Sequence, residues 1–309
     1  QMLTISPDSA LAYNNIGSLL QTQNRFQEAM QSYHHALLAK PEFDLAHLNA
    51  GSCLMHLGWY DAAMAIFKDT IKLNPALLPA YINLAAMQNK LGLLQEALVT
   101  CEQILKINPN LAEIHSSKLF VQSHNADLDA EGQFRAHQAF AQQFEAPWRS
   151  SWAQHGNQRD PDRQLRIGFV SADLNSHAVM NFLDPILEHL RHANTLELVI
   201  YCNNDINDVV TAQLRKTMPH WHDVQHLSDT VLAQQIEDDG IDILIDLSGH
   251  TAFNRLPVFA RKPAPLQLTW IGYPMTSGLQ AMDYYLTDRY YSPPGMFDAQ
   301  FTEKLLRLP

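Results

Sequence analysis

Four prolines set the frame of this chain: Pro7, Pro41, Pro75 and Pro109 stand 34 residues apart. A fixed period of that length marks an array of small units, each of which can bury its apolar face only against its neighbours. Counted from each proline, Gly17, Gly51 and Ala85 fall ten residues on, and Ala29, Ala63 and Ala97 fall twenty-two on. Both sets are small residues, as needed where two helices cross closely. Phe26, Tyr60 and Leu94 fall nineteen on, and Tyr33, Phe67 and Cys101 twenty-six on. Between the two helices of each unit stand Asn24, Gly58 and Gly92, residue types that suit a helix C-terminus. Each proline ends one helix and opens the next unit.

This is the spacing of tetratricopeptide helix pairs. Three full repeats span 7–108. Residues 109–147 keep a helical pattern through Leu111, Ile114, Leu119, Phe120, Phe134, Phe140 and Phe144 but lose the period, and read as capping helices. Residues 1–147 are therefore predicted to form a superhelix whose first helices line a concave face. On those first helices Asn15, Asn49 and Asn83 recur in register. An Asn amide both donates and accepts, so such a row can grip a peptide backbone whatever its side chains; the plainer reading is a polar, solvated helix face.

Residues 148–163 are polar and aperiodic and read as a connection, with Trp148 and Trp152 packing on one neighbour. From Leu165 the pattern changes to alternating short apolar runs and amphipathic segments. Strands are predicted at 165–170, 198–202, 221–224, 243–247, 266–271 and 284–287, and helices at 177–191, 208–217, 230–239 and 255–260. Residues 164–309 thus read as an α/β, Rossmann-like lobe, a parallel sheet covered on both faces. In such sheets ligands sit beyond the carboxyl ends of the strands. That rule selects the loops Ser171–His177, Ser248–Thr251 and Gly272–Gly278, all rich in Gly, Ser, Thr or His.

Within them His177 is expected at a helix N-terminus, capped by Asn175 or Ser176, where the dipole disfavours a positive ring. A neutral imidazole there is a candidate general base, or a histidine that only bonds the loop. His250 follows a glycine in a tight turn and is expected to project toward the ligand edge as a base or a donor. Asp173 and Asp246 are secondary candidates, Asp246 with its side chain turned into the sheet or a helix N-terminus. His220, His222 and His226 have no acidic or Cys partner apparent in the pattern, so no metal site is assigned. The first strand is not followed by GxGxxG and the Gly272 loop has no GK[ST], so no dinucleotide or Walker-type cofactor is expected.

Composition narrows the classes. The formal net charge of −11 argues against a nucleic-acid partner. No apolar run reaches the roughly 18 residues of a membrane span. Three scattered cysteines, Cys53, Cys101 and Cys202, suggest a reducing compartment, and the cytoplasm is the expected location.

The stretch Arg166–Asp173 followed by His177, the stretch Asp242–Thr251, and the run Arg261–Pro274 with Thr276, Ser277, Gly278 and Met282-Asp283-Tyr284 together resemble the catalytic region of glycosyltransferase family 41. That family comprises the O-GlcNAc transferases and the SPINDLY proteins, in which tetratricopeptide repeats precede the catalytic region. The Gly-His-Thr form at 249–251 resembles the SPINDLY branch; the animal O-GlcNAc transferase has Tyr where His250 stands. The resemblance implies a GT-B enzyme that moves GlcNAc or fucose from a nucleotide sugar to Ser or Thr of proteins, with inversion and without a metal. It implies His177 and His250 as catalytic candidates, and Asp173, Thr251, Tyr273, Pro274, Thr276, Ser277 and Gly278 as lining the cleft. It also implies acceptor peptides held by Asn15, Asn49 and Asn83. In that family most contacts to the donor, UDP-GlcNAc or GDP-fucose, come from a second lobe of roughly 150 residues. This stretch of chain is expected to lack it and to be inactive alone. The rival expectation is a tetratricopeptide adaptor with a non-catalytic α/β appendage.

Overall fold

The computed structural model describes residues 9–125, 128–152, 154–160 and 162–309, so Pro7 lies outside the described residues. The chain forms two compact units, residues 1–114 and 115–309.

In the first unit six helices form three pairs: α1 (Ala10–Thr22) with α2 (Phe26–Ala39), α3 (Asp44–His56) with α4 (Tyr60–Leu73), and α5 (Leu78–Lys90) with α6 (Leu94–Ile107). The period is explained by what it packs. Ala29, Ala63 and Ala97 are buried, and Gly17 and Gly51 lie against the rings of Tyr33 and Phe67. A methyl group at Gly51 would come within 2.5 Å of the Phe67 ring. Asn24, Gly58 and Gly92 turn each pair with positive φ of 59°, 79° and 72°, the left-handed region that Gly and Asn tolerate best. The first helices α1, α3 and α5 touch their successors directly, whereas the second helices meet chiefly first helices. First helices are thus the more crowded row, as an inner lining must be.

The second unit opens with α7 (Ala112–Ser123), within which the division falls, and α8 (Ala130–Phe144). Seven parallel strands follow: β1 (Leu165–Ser171), β2 (Leu196–Cys202), β3 (His220–Asp223), β4 (Ile243–Asp246), β5 (Leu266–Trp270), β6 (Tyr284–Asp288) and β7 (Lys304–Leu308). They are joined through α9 (Met180–Leu190), α10 (Val209–Thr217), α11 (Asp229–Asp238) and the short α12 (Leu256–Phe259). The sheet order is β3-β2-β1-β4-β5-β6-β7, with every pairing parallel. The doubly wound order therefore reverses between β1 and β4, and this switch point is where loops part to leave a crevice. One core face gathers Ile167, Phe169, Leu183, Leu187, Leu198 and Ile200 from β1, β2 and α9.

The boundary between the units changes, and one strand is added. The division at 147 moves to 114, because α7 and α8 pack on the sheet-bearing unit: His137 meets Tyr273, Ser116 meets His250, and Glu145 accepts from the Ala281 N–H. The connection at 148–163 is likewise docked: Trp152 donates to Ala260 O, and Asn157 and Arg163 both bond Asp242. The sequence pattern does not predict β7, whose five residues, Lys304-Leu-Leu-Arg-Leu308, carry neither a regular alternation nor a flanking turn signal.

Phe67 is fully buried against Gly51. Phe67→Ala is expected to destabilise the repeat unit by about 3–5 kcal/mol, read from urea unfolding followed by circular dichroism.

Candidate functional site

Parallel pairing puts the carboxyl ends of β1, β4 and β5 on one edge of the sheet, and each strand-end loop has its own anchor. Asp173 is held by its N–H to Ser171 Oγ at 2.9 Å, and Asn204 reaches across from the β2 loop to Ala172 O. Asp208, at the start of α10, accepts from the Ser176 N–H at 2.6 Å. After β4, Asp246 turns back and accepts from Ser248 N, Gly249 N and Thr269 Oγ1 at 3.1, 2.8 and 2.9 Å. Burial pushes this carboxyl up to about 6, against the three bonds that pull it down. After β5, Glu303 accepts from Thr276 Oγ1 at 2.6 Å, Ser277 N at 2.8 Å and Ser277 Oγ. Its burial raises the carboxyl as well.

His177 stands at the switch point but not where the sequence suggested. Helix α9 begins at Met180, and neither Asn175 nor Ser176 caps it. His177 lies in the turn ahead of the helix, its Nδ1 accepting from the Val179 N–H at 3.4 Å and lying 3.9 Å from Asp173 Oδ1. With Nδ1 turned to the backbone, Nε2 is the nitrogen left for solvent or a ligand. The ring is about half exposed, the Asp173 carboxylate less so. Burial raises Asp173, while His177 acts to lower it. Of the two, His177 is the group this edge presents to solvent.

His250 corrects an expectation: it does not project toward the edge. Gly249 adopts φ 56° and turns the ring inward, where it is 0 % exposed. Its Nε2 donates to Ser277 O at 2.9 Å and its Nδ1 accepts from Ser116 Oγ at 2.9 Å. Ser277 O can only accept, which fixes that tautomer. Beside it His137 donates from Nδ1 to Gln133 O at 2.7 Å and accepts from the Tyr273 hydroxyl at 2.9 Å. The two imidazoles meet edge to face at 5.1 Å, with Tyr273 and Phe140 also packed edge-on against His250. Gly278, at φ 79°, allows the loop to lie on α8: a Cβ there would fall 2.3 Å from His137 O. Tyr273, Ser277 and Gly278 are thus buried with His250 and hold the loop in place, out of reach of a ligand. Pro274 is exposed and Thr251 partly so, the latter donating to Ser248 O. Pro274, Met275 and Thr276 line one wall of a cavity of about 280 Å³, closed by Tyr291, Ser292, Phe297, Gln300 and Phe301.

Ser116, His137, Glu145 and Glu303 escaped the sequence reading. Each acts across more than 25 residues of chain, and none carries a local pattern. Among the described residues no cluster of three metal-liganding side chains forms, and no helix is long and apolar enough to cross a membrane.

A tetratricopeptide array followed by a doubly wound parallel lobe defines the class by its fold: helical repeats ahead of one half of a GT-B-type architecture. The family model for glycosyl transferase family 41 matches residues 115–309, and tetratricopeptide models match 20–76 and 78–111; the chain belongs to glycosyl transferase family 41. It is 40% identical over 164 residues to a probable UDP-N-acetylglucosamine–peptide N-acetylglucosaminyltransferase SPINDLY of Petunia hybrida, covering 52% of this chain and 17% of that protein. It is 36% identical over 150 residues to the UDP-N-acetylglucosamine–peptide N-acetylglucosaminyltransferase of Caenorhabditis elegans, covering 48% and 13%. A mutant of the O-GlcNAc transferase of Thermobaculum terrenum superposes with a TM-score of 0.85 at 30% identity, over 97% of this chain and 57% of that one. The chain thus spans under a fifth of these two curated relatives and somewhat over half of the solved one.

Buried neutral imidazoles make the second unit acid-sensitive. Burial lowers His137 to about 4 and His250 well below its ordinary value. As pH falls below about 6.5 the unfolded chain takes up protons that the folded chain refuses, so stability falls, by about 3 kcal/mol for His137 alone. Asp246 works the other way: its folded form keeps a proton between about 4 and 6 that the unfolded chain releases, so its contribution falls as pH rises. His137→Gln, which can still accept from Tyr273, is expected to flatten the acid limb by one proton in urea midpoints measured from pH 7.5 to 4.5.

Proposed function

We propose that this chain is the acceptor-presenting part of a protein O-glycosyltransferase that transfers GlcNAc from a nucleotide sugar to Ser or Thr hydroxyls. The observation that carries the reading is the Asn row on the crowded side of the repeats, in a chain of family 41. Asn49 Nδ2 donates to Asn14 Oδ1 at 3.0 Å, and Asn83 Nδ2 donates to Ser52 Oγ at 3.3 Å. Each amide is thereby oriented by the preceding first helix, leaving its second N–H and its oxygen to face a peptide backbone. Asn15, on the first described helix, is exposed. An extended peptide can then be held through its main chain, with little regard to sequence.

The reaction this reading requires is a single displacement. The acceptor oxygen attacks the anomeric carbon, the glycosidic bond to the diphosphate breaks, and configuration inverts. In this proposal His177, through Nε2, takes or orients the hydroxyl proton, and Asp173 steadies the ring's charge. The diphosphate is held elsewhere. The loops following β1, β2, β4 and β5 contain one Lys or Arg, Arg255, and its guanidinium is already bound to Asn203, Asp229 and the carbonyls of Val224 and Leu227. A leaving diphosphate would find no free cation on these loops. His250 belongs to the scaffold of the site in this proposal.

Two measurements test the reading. Asn49→Ala with Asn83→Ala is expected to weaken binding of a Ser/Thr-rich peptide by about 10-fold or more in fluorescence anisotropy, since each orphaned backbone bond costs about 1 kcal/mol; unchanged affinity would favour a merely solvated row. In a polypeptide that supplies the rest of the family's catalytic region, His177→Ala is expected to lower the transfer rate by about 10²-fold or more. Assays with UDP-GlcNAc and GDP-fucose in parallel decide the sugar.

A further inference from the structure

The loops after β1 and β4 leave the sheet on opposite faces. Ile200 of β2 shares the core that α9 and α10 cover. Its neighbour Tyr201 faces the other way, where its hydroxyl donates to Asp239, at the end of α11, at 2.6 Å. Helix α12 packs with α11, and Arg255, just ahead of α12, reaches Asp229 at 2.7 Å. The β1 loop therefore runs toward one face, with His177 ahead of α9, and the β4 loop toward the other, with Phe253 ahead of α12. One loop ties these two lips of the switch-point crevice. Asn203, just after β2, donates from Nδ2 to Phe253 O at 2.7 Å, and Asp208 accepts from the Ser176 N–H, next to His177, at 2.6 Å. The stretch from Asn203 to Asp208 spans at most about 18 Å when fully extended, so a short length of extended peptide can reach both lips.

Phe253 combines two costly features. Its φ of 58° lies in the left-handed region, which is strained for a bulky residue, and its ring is 78% exposed. The other non-glycine residues of this unit with positive φ each gain a partner: Lys262 binds Asp283 and Ala281 O, and Ile271 packs on the core. The strain at Phe253 leaves its ring in water. The loop is nevertheless locked, since Asn254 Nδ2 donates to Thr251 O at 2.8 Å and Arg255 Nε to Asn203 Oδ1 at 2.9 Å, besides the bond from Asn203 to Phe253. Strain over-determined by its surroundings gathers at ligand sites. Ile206 and Val209, on and just after the tying loop, add exposed apolar surface, and the one cation of these loops, Arg255, is already bound. The occupant that fits is apolar and uncharged, which disfavours a nucleotide diphosphate. We propose that Phe253 is a specificity residue for the acceptor, its ring taking a large apolar side chain that flanks the Ser or Thr brought to His177. This rests on the reading above that the acceptor hydroxyl comes to this edge.

The test uses peptides in which a single Leu is moved through the three positions on either side of one Ser, against an all-Ala reference. Transfer from UDP-GlcNAc and from GDP-fucose is measured in a polypeptide that supplies the rest of the family's catalytic region. Leu at one or more positions is expected to raise kcat/KM about tenfold. Phe253→Gly and Phe253→Asn, both of which tolerate the left-handed backbone, are expected to cut that preference to under about twofold, with the loss falling on the Leu peptides. In the chain of residues 1–309 both are expected to raise the thermal midpoint by at least about 2 °C, because strain is relieved. His177→Ala is expected to slow every peptide alike. If it changes nothing, or if neither donor modifies any peptide, the reading of the edge fails and the role of Phe253 falls with it. If the His177 effect holds but no position shows the preference, or the preference survives both substitutions, the proposal for Phe253 alone is overturned. A midpoint that fails to rise also overturns it, as does an equal loss on Leu and reference peptides, which would assign the ring to a contact with the rest of the catalytic region.

Discussion

The edge of the sheet where chemistry is expected depends on two buried imidazoles that must stay neutral. His250 and His137 each have one nitrogen donating to a carbonyl and one accepting from a hydroxyl, and both rings are buried. It is this burial that holds them neutral, because a charged ring in the interior loses its water without a paired anion. The rings and their partners come from α7, α8 and the loops after β4 and β5, so satisfying these rings fixes four segments at once. Glu303 and Asp246 do similar work from below, each accepting from two or more groups of one loop. The result is an edge whose backbone is set by buried hydrogen bonds within the protein itself.

This arrangement divides histidines that look alike in sequence. His177 and His250 both follow a strand by a few residues, and both sit among small polar neighbours. One keeps an exposed ring beside Asp173; the other is enclosed by Phe140, Tyr273 and His137. Only the first has a ring open to solvent. The enclosed one explains why the loop it sits in contains Gly249: the left-handed backbone at that residue swings the next side chain under the sheet edge.

The repeat array works by a different economy. Its stability comes from contacts between neighbouring helix pairs, each a small and local term, so its faces differ only by what happens to lie next to them. The Asn row follows from this. A position repeated every 34 residues can be polar and oriented by its neighbour, as Asn49 and Asn83 are, or apolar and covered by it, as Cys53 and Met87 are, and α3 and α5 each present both kinds on one helix. The second unit, by contrast, has a single sheet whose order brings together residues far apart in the chain.

How much of this was legible before the fold was known follows from the range of the forces involved. The proline period, the small residues at helix crossings, the left-handed turns at Asn24, Gly58 and Gly92, and the alternation of strand and helix are local patterns, and the sequence alone determined them. It also determined which loops would share an edge, because parallel strands end on one side. Only the tertiary structure decided that α7 and α8 pack with the sheet, that His250 turns inward while His177 stays out, and that Ser116, His137, Glu145 and Glu303 hold the loops. Those outcomes rest on hydrogen bonds between residues scores of positions apart, and a buried polar group chooses its partner by what the fold brings within 3 Å, which no local spacing records.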